Sequence, residues 1–449
     1  MKIFTGIFLL LLIATGVAWS LMPKPDPLGR TRLTWISDDN PARREHIELF
    51  NTLQPECLLS LDPVYEMGME KIIVRATAGV GPDLFDCYGN YQLAAFVQAD
   101  IAWDITDELA KVGIDVKSEY WPAIVPIAVY NGRVYGVPAN VASDALFFNK
   151  DIFDQMHIPY PRGPMTWDDF VKLAKKLTIR DADGRVTQYG FTFDFNRWMD
   201  FLPQFGARVF SEDGTRCTLD SPEAIAAGQF EWNMIYRWKI MPSATEEEAA
   251  VQQGGYGNIA MKFLANGRSA TVLGGRWWLC TLRQYAGMNI GACEAPHGPV
   301  YCFNTYGKAT LINKRSPHRE EALKFLLYMH SRQYNDLVNQ QADGMAPMPK
   351  YCSDQELFNP NFPNEDYHAV FREEMKHGTM ESISPFVNTA LAVRLINAQH
   401  DLLRRNAKSP EEAMRSMARE VNQEIQKTLA RDPELKARYD ALIAKGQSR

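Results

Sequence analysis

Segments of strand character alternate with segments of helix character from residue 32 onward, and this order constrains the fold more than any other feature. "RLTWISDD", starting at Arg32, reads as a short strand ending in acids, and "NPARREHIELFNTL" follows as a helix. Asn40 is its expected cap and Pro41 its first residue, where a missing N–H costs nothing. "GPDLFDCY" is a second strand-like run and "NYQLAAFVQADI" is again helical. Strand, helix, strand in that order implies a mainly parallel sheet with right-handed crossovers. Ligands of such sheets gather beyond the carboxyl ends of the strands, so the loops after Ile36 and Phe85 are the places to look for a site. The grammar recurs later. "TWDDFVKLAKKLT" is an amphipathic helix capped by Thr166, with Phe170, Val171, Leu173, Ala174 and Leu177 on one side. "SPEEAMRSMAREVNQEIQKTLA" is a charged helix capped by Ser409 ahead of Pro410, its charges a solvated face.

A chain of 449 residues, 46% of them hydrophobic, exceeds one ordinary core and suits two lobes. A formal net charge of -6, without a run of five Lys/Arg, leaves no electrostatic footprint for nucleic acid. The opening "MKIFTGIFLLLLIATGVAWS" has one Lys, an uncharged apolar run and a small-x-small close at Ala18 to Ser20, the pattern of a signal for export. The uncharged run, residues 3–22, is also long enough to serve as an uncleaved membrane anchor. Both readings place the protein in the periplasm or another extracytoplasmic space, free or tethered. "PKPDPLGR", residues 23–30, reads as a stiff linker to the fold. Seven cysteines, an odd number, leave at least one thiol unpaired within the chain; burial as small hydrophobes and disulfide formation both stay open for the rest.

No hydrolase, zinc-protease, redox or phosphate-loop motif is present, and the eight histidines are scattered, so the chain is read as a non-enzyme with no catalytic residue. A carboxylate-pair glycosidase carries no such motif and stays open as an alternative. Asp181, Asp183 and Gly184 open like a calcium loop, but the remaining ligands do not follow; neither metal nor cofactor is expected.

"NGRVYGVP", followed by "LFFNKDIFDQMHIPYPRGPMTWDDFVKLAKKLT", resembles the signature of family 1 extracellular solute-binding proteins, the sugar receptors of ABC importers related to maltose-binding protein. "FLANGRSATVLGGRWWL", "INKRSPHREEALKFLLYM" and "DGMAPMPK" follow in the matching order, and the likeness runs from about Leu33 to about Ala430. The resemblance implies an α/β, two-lobed periplasmic-binding-protein fold of type II that closes on its ligand like a clamshell. Lobe 1 is then residues 31–143 plus 305–340, and lobe 2 residues 144–304 plus 341–449. The crossings fall near 142–148, 300–306 and 341–346. It further implies a carbohydrate ligand, an oligosaccharide, delivered by a monomer to the membrane permease subunits of an ABC transporter. A sensor handing its closed form to a membrane receptor would use the same cleft.

A sugar ring has an apolar face and a fringe of hydroxyls, so its pocket needs flat aromatic faces and a few polar side chains. The resemblance puts a stacking ring at Trp277 in "GGRWWL", beside Arg276 and Trp278, with Gly274 and Gly275 leaving room for a ligand. Tyr88 and Trp198 fall in other loops expected at the cleft. Polar candidates are Asp38, Asp39, Asn90, Ser143, Asp144, Asn304 and Asn388, with Tyr306 and Phe386 as further rings. For Asp144 a ligand bond and a hinge bond are both open, and for Asp38 and Asp39 so is simple capping of the helix at Asn40. Ala142 stands where maltose-binding protein has an acidic ligand, so maltodextrin specificity is not carried over.

Overall fold

The computed structural model describes residues 26–62, 68–251, 258–285, 287–380 and 382–447, together with Thr15. The expected signal or anchor segment lies outside the described residues, Thr15 excepted. Among the described residues no helix is long and apolar enough to cross a membrane.

In chain order the strands that build the architecture are β1 (Thr31–Ile36), β2 (Cys57–Leu61), β3 (Leu84–Cys87), β4 (Gly136–Ala142), β5 (Asp144–Asn149), β6 (Ile179–Arg180), β7 (Val186–Thr192), β8 (Ser269–Gly275), β9 (Ile290–Glu294), β10 (Phe303–Asn304), β11 (Tyr306–Ile312) and β12 (Gly378–Thr379). Two five-stranded sheets result, ordered β2-β1-β3-β11-β4 and β9-β5-β8-β7-β6. β3 and β4 are buried along their whole length, which is why their sequences read as unbroken apolar runs rather than alternating ones. The first sheet is parallel across β2-β1-β3 but antiparallel where β11 meets β3 and β4. In the second, only β7 and β8 pair in parallel. In these two sheets parallel pairing is thus confined to β2-β1-β3 and the β7-β8 pair, and the expectation of mainly parallel sheets fails elsewhere. The reason is the traffic between lobes, since β4 leaves the first lobe toward the second and β11 returns in the opposite direction.

The helix starts obey capping chemistry. Asn40 Oδ1 accepts the Arg43 amide at 3.0 Å ahead of α1 (Pro41–Leu53), and Thr166 accepts that of Asp169 ahead of α2 (Trp167–Leu177). Ser409 and Glu412 form a reciprocal capping box on α3 (Pro410–Arg431). The Asp181 loop is a turn between β6 and β7, in which Asp181 Oδ1 accepts the amides of Asp183 and Arg185. All seven cysteines are free thiols; five are buried, and burial pushes the Cys87, Cys217 and Cys293 thiols up to about 12.

One residue separates the sheets at the first crossing. β4 ends at Ala142, paired with Tyr306 in the first sheet, and β5 begins at Asp144, paired with Gly275 in the second. Ser143 between them is fully buried and donates to the Phe371 carbonyl at 3.0 Å. Thr305 is the single residue between β10, which pairs with β12 in a separate two-stranded sheet, and β11 of the first sheet, and its amide bonds the Thr379 carbonyl. The third passage is longer than the expected 341–346: Met345 still bridges Val141 and Pro347 accepts from Trp121, whereas helix His368–Glu374 packs on β5 and β9.

Candidate functional site

The site is built from the floor of the first lobe upward. Lys308, in the middle of β11 and 2% exposed at its side chain, points under the loop after β1. Its ammonium bonds Ser37 Oγ at 2.7 Å, Asp86 Oδ2 at 2.8 Å and Asp38 Oδ1 at 3.0 Å. Arg43, on the first turn of α1, donates to Asp38 at 3.1 Å and to Asp343 at 2.6 Å, and Asn140 on β4 holds the same Asp343. A buried cation with one partner removed is strongly destabilising, so this lattice is rigid. Asp38 keeps 41% of its side chain open. Burial opposes its charge, but Lys308 and Arg43 outweigh that and hold its carboxyl well below the usual range. The outcome is an ionised, preoriented acceptor facing open space.

That space is a cavity of about 400 Å³ between the lobes. Asp38, Tyr88, Asn140, Ala142, Tyr306 and Lys308 line it from the first lobe, and Trp277, Thr281 and Gln284 from the second. The Tyr88 hydroxyl donates to Asp38 at 3.1 Å. The half-buried Trp277 ring lies 5.9 Å from the Tyr306 ring at 57°, so two aromatic faces flank the volume beside one carboxylate. Such an arrangement stacks on an apolar face while gripping hydroxyls.

Of the residues singled out in the sequence, Asp38, Tyr88, Trp277 and Tyr306 line this cavity. Asp144 and Asn304 line a small void of about 20 Å³, and Asn90 and Asn304 a second, larger cavity. Ser143 is in the hinge itself. The others take structural places. Arg276 is fully buried and donates to the carbonyls of Gly344, Asn339 and Leu357. Trp278 stacks on Phe147, ring planes 3° apart, and Trp198 on His400 at 4.5 Å. Phe386 packs edge-on against Tyr439, Asn388 caps the helix Thr389–Arg404, and Asp39 pairs with Arg44. The two glycines serve the protein's own rings. A Cβ on Gly275 would lie 1.7 Å from the Trp277 ring and one on Gly274 2.5 Å from the Trp278 ring, so the room they leave is already filled. Sequence reasoning missed Lys308, Arg43, Asn140 and Asp343. Lys308 had a signal, a lone cation inside the apolar run "YGKATLI"; the rest had none.

Glu374 packs beside the hinge with no exposed surface, its Oε1 accepting the Ala295 amide at 2.8 Å. Burial pushes its carboxyl up to about 9 despite that bond, and the charges of Glu294 and Asp144 add to the push. A carboxyl raised above its ordinary 4.5 supports folding fully below that pH and loses the contribution as pH climbs toward 9. Glu374→Gln is therefore expected to gain stability relative to the parent as pH rises from 5 to 8, by at most about 1.4 kcal/mol per pH unit. Denaturant unfolding of both proteins across that range checks it; a constant difference would mean that Glu374 is already ionised in the folded protein.

Comparison with known proteins follows the same lines. A family profile described as bacterial extracellular solute-binding protein matches residues 59–336. An arabinooligosaccharide-binding protein of Halalkalibacterium halodurans is 25% identical over 315 residues, covering 66% of this chain and 67% of the relative. The ABC substrate-binding protein Lmo0181 of Listeria monocytogenes, solved with cycloalternan, superposes with a TM-score of 0.75 at 20% identity, over 89% of this chain and 99% of that one. A solute-binding protein of Thermotoga lettingae bound with alpha-D-tagatose gives 0.73 at 20% identity, over 88% and 100%. These likenesses show the two-lobed fold.

Proposed function

Because the chain belongs to the bacterial extracellular solute-binding proteins, a family of binding proteins rather than enzymes, we propose that it captures an oligosaccharide in the interlobe cavity and delivers it to the permease subunits of an ABC importer. The observation that carries this reading is the joint placement of the Trp277 face and the ionised Asp38 carboxylate in one cavity that both lobes line. Sugar recognition needs both, an apolar platform and charge-assisted acceptors for hydroxyls in a site that sheds water on closing. Relatives named for arabinooligosaccharide, maltodextrin and galactooligosaccharide binding support the ligand class. The protein works outside the cytoplasm as a monomer, free in the periplasm or tethered through residues 3–22. The lobes close about Ser143 and Thr305, where strands of the two lobes abut with one residue between them.

A thermal-unfolding screen with arabino-, galacto- and malto-oligosaccharides tests the reading. A bound sugar at about 100 times its dissociation constant is expected to add roughly 2.7 kcal/mol to stability, with the sugar recovered intact after long incubation. Cleaved product would favour a carboxylate-dependent enzyme, and no shift with any sugar would remove the carbohydrate reading.

A further inference from the structure

Two cavities have lining residues that neighbour one another in sequence, and one carboxylate, Asp200, bonds a lining residue of each. The first is the cavity over Trp277. The second, about 520 Å³, is lined by Asn90, Met199, Arg208, Glu212, Cys302 and Ser382 among others. Tyr88 lines the first and Asn90 the second, and Tyr306 lines the first and Asn304 the second. Asp200 Oδ1 accepts Asn304 Nδ2 at 2.9 Å and the Tyr306 hydroxyl as well. Asp200 follows β7 in the second lobe, whereas Tyr306 opens β11 in the first, so the carboxylate spans the cleft.

We propose that this Asp200 bridge makes the cleft selective for the length of the saccharide chain. The inference rests on the carbohydrate reading above. A short saccharide fills the Trp277 cavity with the bridge intact. A longer chain of the same sugar enters the second cavity only by breaking the bonds of Asp200 to Tyr306 and Asn304. A ligand that displaces such bonds without equal replacements leaves polar groups unpaired and forfeits affinity. The second cavity has amide, hydroxyl and charged groups among its apolar walls but, among the described residues, no aromatic ring in its lining, so a chain entering it finds hydrogen bonds without a stacking face from those residues to offset the bridge.

Calorimetric titration of the full chain with di- and pentasaccharides of the arabino, galacto and malto series tests this. The quantity read is the ratio of pentasaccharide to disaccharide affinity within the series that binds. Asp200→Ala is expected to raise that ratio about tenfold, and Tyr306→Phe, which keeps the ring but removes the hydroxyl, to raise it in the same direction. Thermal scans show which variant is folded, and either folded variant decides the matter. An unchanged or lowered ratio overturns length selection and leaves the carbohydrate reading in place. If no member of the three series binds the parent protein, the carbohydrate reading falls and length selection falls with it.

Discussion

Arg276→Met is expected to lose about 3 to 5 kcal/mol of folding stability, read as a lowered denaturant midpoint with an unchanged slope. The guanidinium has no exposed surface, and desolvation pushes it down to about 10, which leaves it charged at neutral pH. It survives there because it donates to backbone carbonyls of Gly344, Asn339 and Leu357, and because Glu365 stands nearby through His368. Methionine fills much of the same length but donates nothing, so the Gly344 and Leu357 carbonyls lose the guanidinium as donor and the Asn339 carbonyl keeps the Ala342 amide, at about 1 kcal/mol or more per lost bond. The change should also loosen the site. Arg276 ties the turn that carries Trp277 to Gly344, next to the Asp343 that Arg43 holds. A variant that keeps parental stability but loses sugar affinity would mean that the guanidinium faces the ligand after all.

Trp277→Ala is expected to behave in the opposite way, losing roughly 1 to 3 kcal/mol of binding, ten- to a hundredfold in affinity, while remaining folded. The ring is half-buried, packed over Gly275 on one side and turned toward Tyr306 and the cavity on the other. Removing it deletes a stacking face. Its neighbour Trp278, 1% exposed and stacked on Phe147, would instead leave a core cavity costing about 3 to 5 kcal/mol if truncated. Two adjacent tryptophans thus have separable effects, one on affinity and one on stability.

The contrast between these neighbours marks what the sequence can convey. Helix starts at Asn40, Thr166 and Ser409 were legible because a cap is a local bargain between a side chain and an amide three residues on. The succession of β4 and β5 was legible because one extended, mostly apolar run follows another with a single residue, Ser143, between them. Arg276, Trp277 and Trp278 could not be sorted in this way. They occupy one tight helical turn, so successive side chains point in different directions, and only the Trp277 ring meets the cavity. Composition marks all three as candidates; orientation depends on distant contacts, with residues 339 to 368 for Arg276, Tyr306 for Trp277 and Phe147 for Trp278. The charged floor was hidden for the same reason, since Arg43 and Asp343 are 300 residues apart and share no pattern. Trp198 was drawn toward the cleft by its loop, but its indole stacks on His400, which Glu231 holds at 2.8 Å.

Calorimetric titration of the parent protein and Trp277→Ala, side by side, with the sugar that gives the largest thermal shift, tests carbohydrate capture in the interlobe cavity most directly. The expected result is saturable binding of one sugar per parent chain and a ten- to a hundredfold weaker isotherm for the folded variant. Equal affinities in two folded proteins, or no heat of binding with any sugar, would contradict it.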